Sequence, residues 1–136
     1  MKRLSLLLIA PILASCSTAV EPPTRSAQGE AQLRQLLADK VAGEPVSCLP
    51  HHRAGQMVVI DDNTLAFRDS SSRVWVNNLQ AGCAHVGGGS YALVTRTTGG
   101  LGLCRGDIAE VRDVTNGYSV GACVLGEFTP YTRPAG

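Results

Sequence analysis

Gln56-Met-Val-Val-Ile-Asp-Asp-Asn-Thr-Leu-Ala-Phe-Arg68 is the stretch that decides the fold. After the leading glutamine, Met57 to Ile60 is apolar and mostly β-branched. Asp61-Asp62-Asn63 is turn chemistry, and Thr64 to Arg68 returns with Leu65 and Phe67 on one face. Two short runs joined by a polar turn are a β-hairpin. The pattern continues downstream. Ser70-Ser71-Ser72 turns again, and Arg73 to Asn78 alternates Val74 and Val76 against Trp75 and Asn77. Tyr91 to Thr97, Leu101 to Cys104, Asp107 to Val114 and Ser119 to Leu125 read as further strands, the last with Val120, Ala122 and Val124 on one face. Asn116-Gly117 is the strongest short hairpin signal in the chain. Short strands at this spacing predict a mainly β domain, a small antiparallel barrel or sandwich, over residues 44–132 with a tail at 133–136.

Upstream the period changes. Leu33, Leu36, Leu37 and Val41 form one apolar stripe, so a helix is expected from Gln28 to Ala42. Gly43 and then Glu44-Pro45 stop it, which bounds the helical segment at 28–43. Its stripe is expected to dock on the β-domain. Residues 16–27 hold Ser, Thr, Glu and Pro with little to bury, the composition of a tether, with Glu21-Pro22-Pro23 expected to hold the domain off the membrane.

The first 15 residues place Lys2 and Arg3 before an apolar run from Leu4 to Leu13, then Ala14-Ser15-Cys16. Charge, short apolar core and small residues, in that order, make a secretory signal. The run is too short for a membrane span, which needs about 20 apolar residues. Leu13-Ala14-Ser15-Cys16 resembles the cleavage box of bacterial lipoproteins. The resemblance implies acylation of Cys16, removal of residues 1–15 and, with Ser17 rather than Asp next, the periplasmic face of the outer membrane.

Cys48, Cys83, Cys104 and Cys123 remain. An even number in a short exported chain reads as two disulfides. Of the three possible connectivities, Cys48–Cys123 closing the domain and Cys83–Cys104 closing the Gly-rich segment is the expected one. No Cys-x-x-Cys pair supports zinc.

Without Lys2 and Arg3 the basic residues fall from 12 to 10 against 11 acidic ones. Lys40 is the sole lysine after the signal, so nucleic-acid binding has no electrostatic support. Nor does the body read as a membrane-surface binder; the lipid would serve that purpose. His51, His52 and His85, with Asp61 and Asp62, are candidate metal ligands, but neighbours on an extended chain point to opposite sides. Ser90 lacks a Gly-x-Ser-x-Gly setting, and Gly87-Gly88-Gly89 lacks the Gly-Lys-Ser/Thr ending of a phosphate loop. Arg105-Gly106-Asp107 spells an adhesion tripeptide, yet Gly and Asp are ordinary turn residues. Tyr118, beside a turn, is the best exposed aromatic candidate; the others sit at strand positions and read as core.

Leu103-Cys-Arg-Gly-Asp107 and Cys123-Val-Leu-Gly-Glu-Phe128 resemble a group of short exported proteobacterial proteins, many of them lipoproteins. The resemblance covers about Val46 to Thr132, includes all four cysteines, and implies structural disulfides. It carries no assigned activity and hence no catalytic residue. The extended Gly87 to Gly89 run departs from its pattern. The expectation is therefore a non-catalytic, lipid-anchored envelope module that binds a protein or envelope component, with no cofactor. The alternative is a periplasmic enzyme inhibitor resembling the lysozyme-inhibitor type, with Gly89-Ser90-Tyr91 as its inserting loop.

Overall fold

The computed structural model describes residues 25–96, 100 and 102–135. Cys16, the signal and most of the tether lie outside them. Ser26 caps the one α-helix of the described residues, α1 (Ala27–Leu36), its hydroxyl accepting from the Gly29 amide at 3.0 Å. The helix ends earlier than the stripe suggests. Asp39 takes a left-handed conformation, φ 61°, and turns the chain. Val41 then leaves the stripe: Val41–Ala42 is a strand, β1, and Val41 is exposed. A β-branched residue with a strand to pair with gains more there than on a fraying helix end.

The remaining strands are β2 (Cys48–Leu49), β3 (Gln56–Asp61), β4 (Thr64–Arg68), β5 (Arg73–Asn78), β6 (Tyr91–Thr95), β7 (Leu103–Cys104), β8 (Ile108–Asp113), β9 (Ser119–Val124) and β10 (Phe128–Thr132). They pair antiparallel in three sheets, ordered β1-β10-β5-β4-β3, β6-β8-β9 and β2-β7. The architecture is a sandwich, not a closed barrel. Of the expected strand residues, Thr97 and Leu101 lie outside the described ones.

Pro130 hides β10 from a pattern reading, since proline removes a ladder donor. Its carbonyl accepts from the Gly43 amide at 2.7 Å. In a strand the N and O of one residue point to the same side. The missing donor therefore faces short β1 and not β5, and the five-residue register of β10 with β5 survives.

The five-stranded sheet is buried on both faces. Ile60, Ala66, Val74 and Val76 meet Leu33 of α1, so the helix docks as its stripe predicts. Leu65, Phe67 and Trp75 face the other way, against Ala109, Val111 and Cys123 of the three-stranded sheet and against Leu49 and Leu103 of the small one. The Phe67 and Phe128 rings sit 5.9 Å apart, tilted. In β9 the apolar set Val120, Ala122 and Val124 faces outward; its partner face carries Cys123 into the core.

The sheets are joined at one corner. Asn77 is fully buried, and its side-chain amide donates to the Gly126 carbonyl at 2.8 Å and accepts from the Gly126 amide at 2.9 Å. The two bonds satisfy both backbone polar groups of Gly126, one in each of its flanking peptide units, where the chain passes from β9 into β10. A Cβ on Gly126 would collide with the Asn78 carbonyl, so only glycine fits there.

The disulfides differ from expectation. They are Cys48–Cys104 and Cys83–Cys123, with Cα atoms 4.0 and 4.8 Å apart. The reason is strand pairing. β2 lies opposite β7 with Cys48 facing Cys104, and the segment after β5 crosses β9 at the Ala81–Val124 bridge, beside Cys83 and Cys123. The closed loops are 56 and 40 residues and overlap instead of nesting. Each stabilises by about 4 kcal/mol in the chain-entropy model. Cys83 and Cys123 are buried, whereas Cys48 and Cys104 are half-buried.

Two outcomes test this packing. Asn77→Ala strands the backbone N–H and C=O of buried Gly126 and should cost about 2–4 kcal/mol, on the order of 10 °C in Tm. Asn77→Asp should not restore stability, because it keeps an acceptor only and buries a charge. A thermal melt decides it; an Asn77→Ala protein melting like wild type refutes the corner. Second, graded reductant followed by alkylation and peptide mapping should open Cys48–Cys104 first. Labelling of Cys83 and Cys123 ahead of that pair contradicts the burial argument.

Candidate functional site

The candidate residues divide into those the fold uses and those it presents. Asp61 is used. Its Oδ2 accepts from the Ser26 amide at 3.3 Å and its Oδ1 from the Asn63 amide at 2.9 Å, so it closes the β3–β4 turn and holds the start of α1. The Asp62 carbonyl accepts from the Cys83 amide at 2.6 Å. These groups wall a polar cavity of about 460 Å³ with Ser26, Gly29, Val59 and Gly87.

His51 and His52 lie on a 3-10 turn, His51–Arg53, where Arg53 Nε donates to His52 Nε2 at 3.4 Å. His51 lines a cavity of about 300 Å³ together with Met57 of β3, Leu93 of β6 and the buried Phe67, Leu103 and Leu125. His85 has φ 71° and its ring lies 5.9 Å from that of Tyr91. Among the described residues no three His, Cys, Asp or Glu side chains converge to hold a metal ion.

Arg105-Gly106-Asp107 is the turn between β7 and β8. Asp107 Oδ2 accepts from the Cys104 amide at 2.7 Å, and Arg105 pairs with Glu127 at 3.0 Å. Both charged ends are engaged within the fold. In Gly89-Ser90-Tyr91 only Tyr91 is half-buried; Gly89 and Ser90 are exposed. On the outer face of the three-stranded sheet, the Arg112 guanidinium donates to Glu110 at 2.6 and 3.0 Å. That hydrogen bond, helped by the charges of Arg112 and Arg96 and opposed by partial burial, holds the Glu110 carboxyl below its ordinary range. The interaction therefore acts above the ordinary carboxylate pKa and is lost as pH falls through the lowered one.

What the fold presents is the tip of the β8–β9 hairpin. Tyr118 is 73% exposed and Val114 63%, with Val120 at 41% beside them. Asn116-Gly117 is not the two-residue turn its spelling suggests, since only Gly117 has positive φ, 75°. The loop is longer: the Asp113 amide donates to the Tyr118 carbonyl and the Gly117 amide to the Asp113 carbonyl, at 3.0 and 2.8 Å. Asp113 Oδ1 accepts from the Thr115 amide at 2.7 Å, and Oδ2 from Asn116 Nδ2 at 3.2 Å. Asn116 Oδ1 in turn accepts from the Tyr118 amide at 2.9 Å. The Val114 amide donates to the Ser90 carbonyl at 2.9 Å, which fastens the tip to the Gly-rich loop. β9 carries one extra residue here, because Val111 pairs with Gly121 but Arg112 with Ser119. Val120 is that bulged residue. Sequence reading singles out Tyr118 and passes over Val114, whose only signal is its place at the head of the turn.

The tip's order rests on Asp113 and Asn116. Asp113→Ala should speed amide exchange at Thr115 and Tyr118 while lowering stability by only about 1–2 kcal/mol. Unchanged exchange at those amides refutes the preordered tip.

Comparison with protein-family models, with curated proteins and with solved structures gives no match to this chain.

Proposed function

We propose that the chain is a lipid-anchored, non-catalytic binding module of the cell envelope, held through Cys16 on the periplasmic face of the outer membrane. Its binding element is the β8–β9 tip. The observation that carries this reading is the combination of order and exposure at the tip: a turn closed by its own hydrogen bonds holds Tyr118 and Val114 out to solvent. A preordered loop loses little conformational freedom on binding. Tyrosine adds large contact area with few rotatable bonds. The charged groups of the Arg105 to Asp107 turn, by contrast, are bonded internally.

A second reading has one observation in its favour. The Val114–Ser90 bond sets the Gly-rich loop beside the tip, so the two could enter an enzyme cleft together, as an inhibitor of the lysozyme-inhibitor type requires. Loss of lysozyme activity on adding the purified protein, relieved by Tyr118→Ala, supports that reading; undiminished activity removes it.

Anchoring is tested separately. Cys16→Ala should abolish labelling by palmitate and leave residues 1–15 attached. A labelled, membrane-bound Cys16→Ala protein defeats the lipoprotein reading.

A further inference from the structure

The anchor and the tip are close enough to act on one surface. Eight residues lie between Cys16 and Arg25, so the nine steps from one to the other span at most about 30 Å. A domain of this size has a radius of gyration of about 13 Å and is roughly 35 Å across. A body on so short a connection stays within about 30 Å of the surface that carries its anchor, and is tied to it at the end bearing Arg25.

That end can be identified. Arg25 donates to Thr64 and Asn78, at the first residue of β4 and the last of β5. Ser26 joins Asp61, Asp62 joins Cys83, and Cys83 is bridged to Cys123 of β9. The segment after β5 runs along this end, its Gln80 amide bonded to the Val124 carbonyl. Ser26 and Gly87 also share one cavity wall, and Ser90, three residues on, holds Val114. The tip thus lies at the anchored end. The β4–β5 turn, Ser70 to Ser72, lies at the opposite end of the same strands.

We infer that Val114, Tyr118 and Val120 insert into the interface of the bilayer that carries the Cys16 lipid, so that the domain lies on the membrane in one orientation. The inference rests on the lipid-anchored reading above and names the bilayer as the partner of its tip. The chemistry fits. An aromatic ring with a polar end beside aliphatic side chains is the composition that settles at headgroup level. The stretch from Asp113 to Tyr118 holds no Lys or Arg, so the contact is apolar and should resist salt. Both carboxylate oxygens of Asp113 are hydrogen-bonded inside the turn. Three side chains would bind a membrane weakly from solution; on a tethered body the contact is intramolecular, and weak attraction suffices.

The test uses full-length, lipidated protein reconstituted in phosphatidylethanolamine–phosphatidylglycerol vesicles that contain brominated lipid. Trp75 is the only tryptophan and is buried, so it reports no contact. Tyr118→Trp places a second tryptophan at the tip, and Ser71→Trp places one at the far end. Loss of fluorescence is expected for Tyr118→Trp alone, unchanged by high salt. If the protein floats with the vesicles and Tyr118→Trp is unquenched, the tip faces away from the bilayer, toward a periplasmic partner, and the inference is overturned while the anchor stands. Equal quenching at both positions also overturns it, since the body then has no preferred orientation. Protein that fails to float defeats the anchored reading and the inference together.

Discussion

The side chain of Asn77 bonded to both the N–H and the C=O of Gly126 is the constraint on which the rest of the structure depends. A sandwich must let the chain leave one sheet and enter the other. At that crossing a backbone unit loses its ladder partners inside an apolar core, and an unpaired buried peptide is costly. A carboxamide has one acceptor and one donor side and can replace a neighbouring strand for a single residue. Asn77 stands on the inward face of β5 between Leu65 of β4 and Phe128 of β10, its cross-strand partners. An aliphatic residue there would pack as well but would leave the corner unsatisfied. Gly126 matches it, because the approach of the Asn78 carbonyl leaves no room for a side chain.

The two disulfides act on different parts of this frame. Cys83–Cys123 lies within the core and fixes the segment after β5 against β9. Cys48–Cys104 clips the two-residue strands β2 and β7, a ladder too short to persist alone. Because the two loops overlap, neither bridge closes a region independent of the other. A domain of about 110 residues with few aromatic side chains has a modest core, and two constraints on its unfolded state are comparable with its whole net stability.

The same frame explains why the β8–β9 tip is both exposed and ordered. Its hairpin is anchored at the root by Ala109, Val111 and Cys123 in the core, and at the crown by Asp113 and Asn116. Val114 and Tyr118 are thereby held in water by a rigid support. The apolar outer face of β9 adds Val120 to them through a bulge that turns the strand.

The sequence by itself determined what depends on neighbours along the chain. Alternation placed β3, β4 and β5, and the leucine stripe showed that α1 would dock by Leu33, because side-chain direction follows local backbone period. Turn residues marked Tyr118 as exposed, and the cysteine count implied two bridges. The tertiary structure alone decided what depends on residues far apart. It pairs Cys48 with Cys104, because β2 and β7 are two-residue strands with no period of their own and exist only through each other. It makes a strand of Val41–Ala42 because β10 offers an edge there, and it admits Pro130 because the missing donor faces that edge. It brings Val114 and Val120 beside Tyr118 through a turn whose geometry is set by side-chain hydrogen bonds, and sets that tip at the end where the chain enters. Apart from the hydrogen bonds inside the tip's own turn, which are local, each feature is an energy of contact between segments tens of residues apart, which local pattern does not carry.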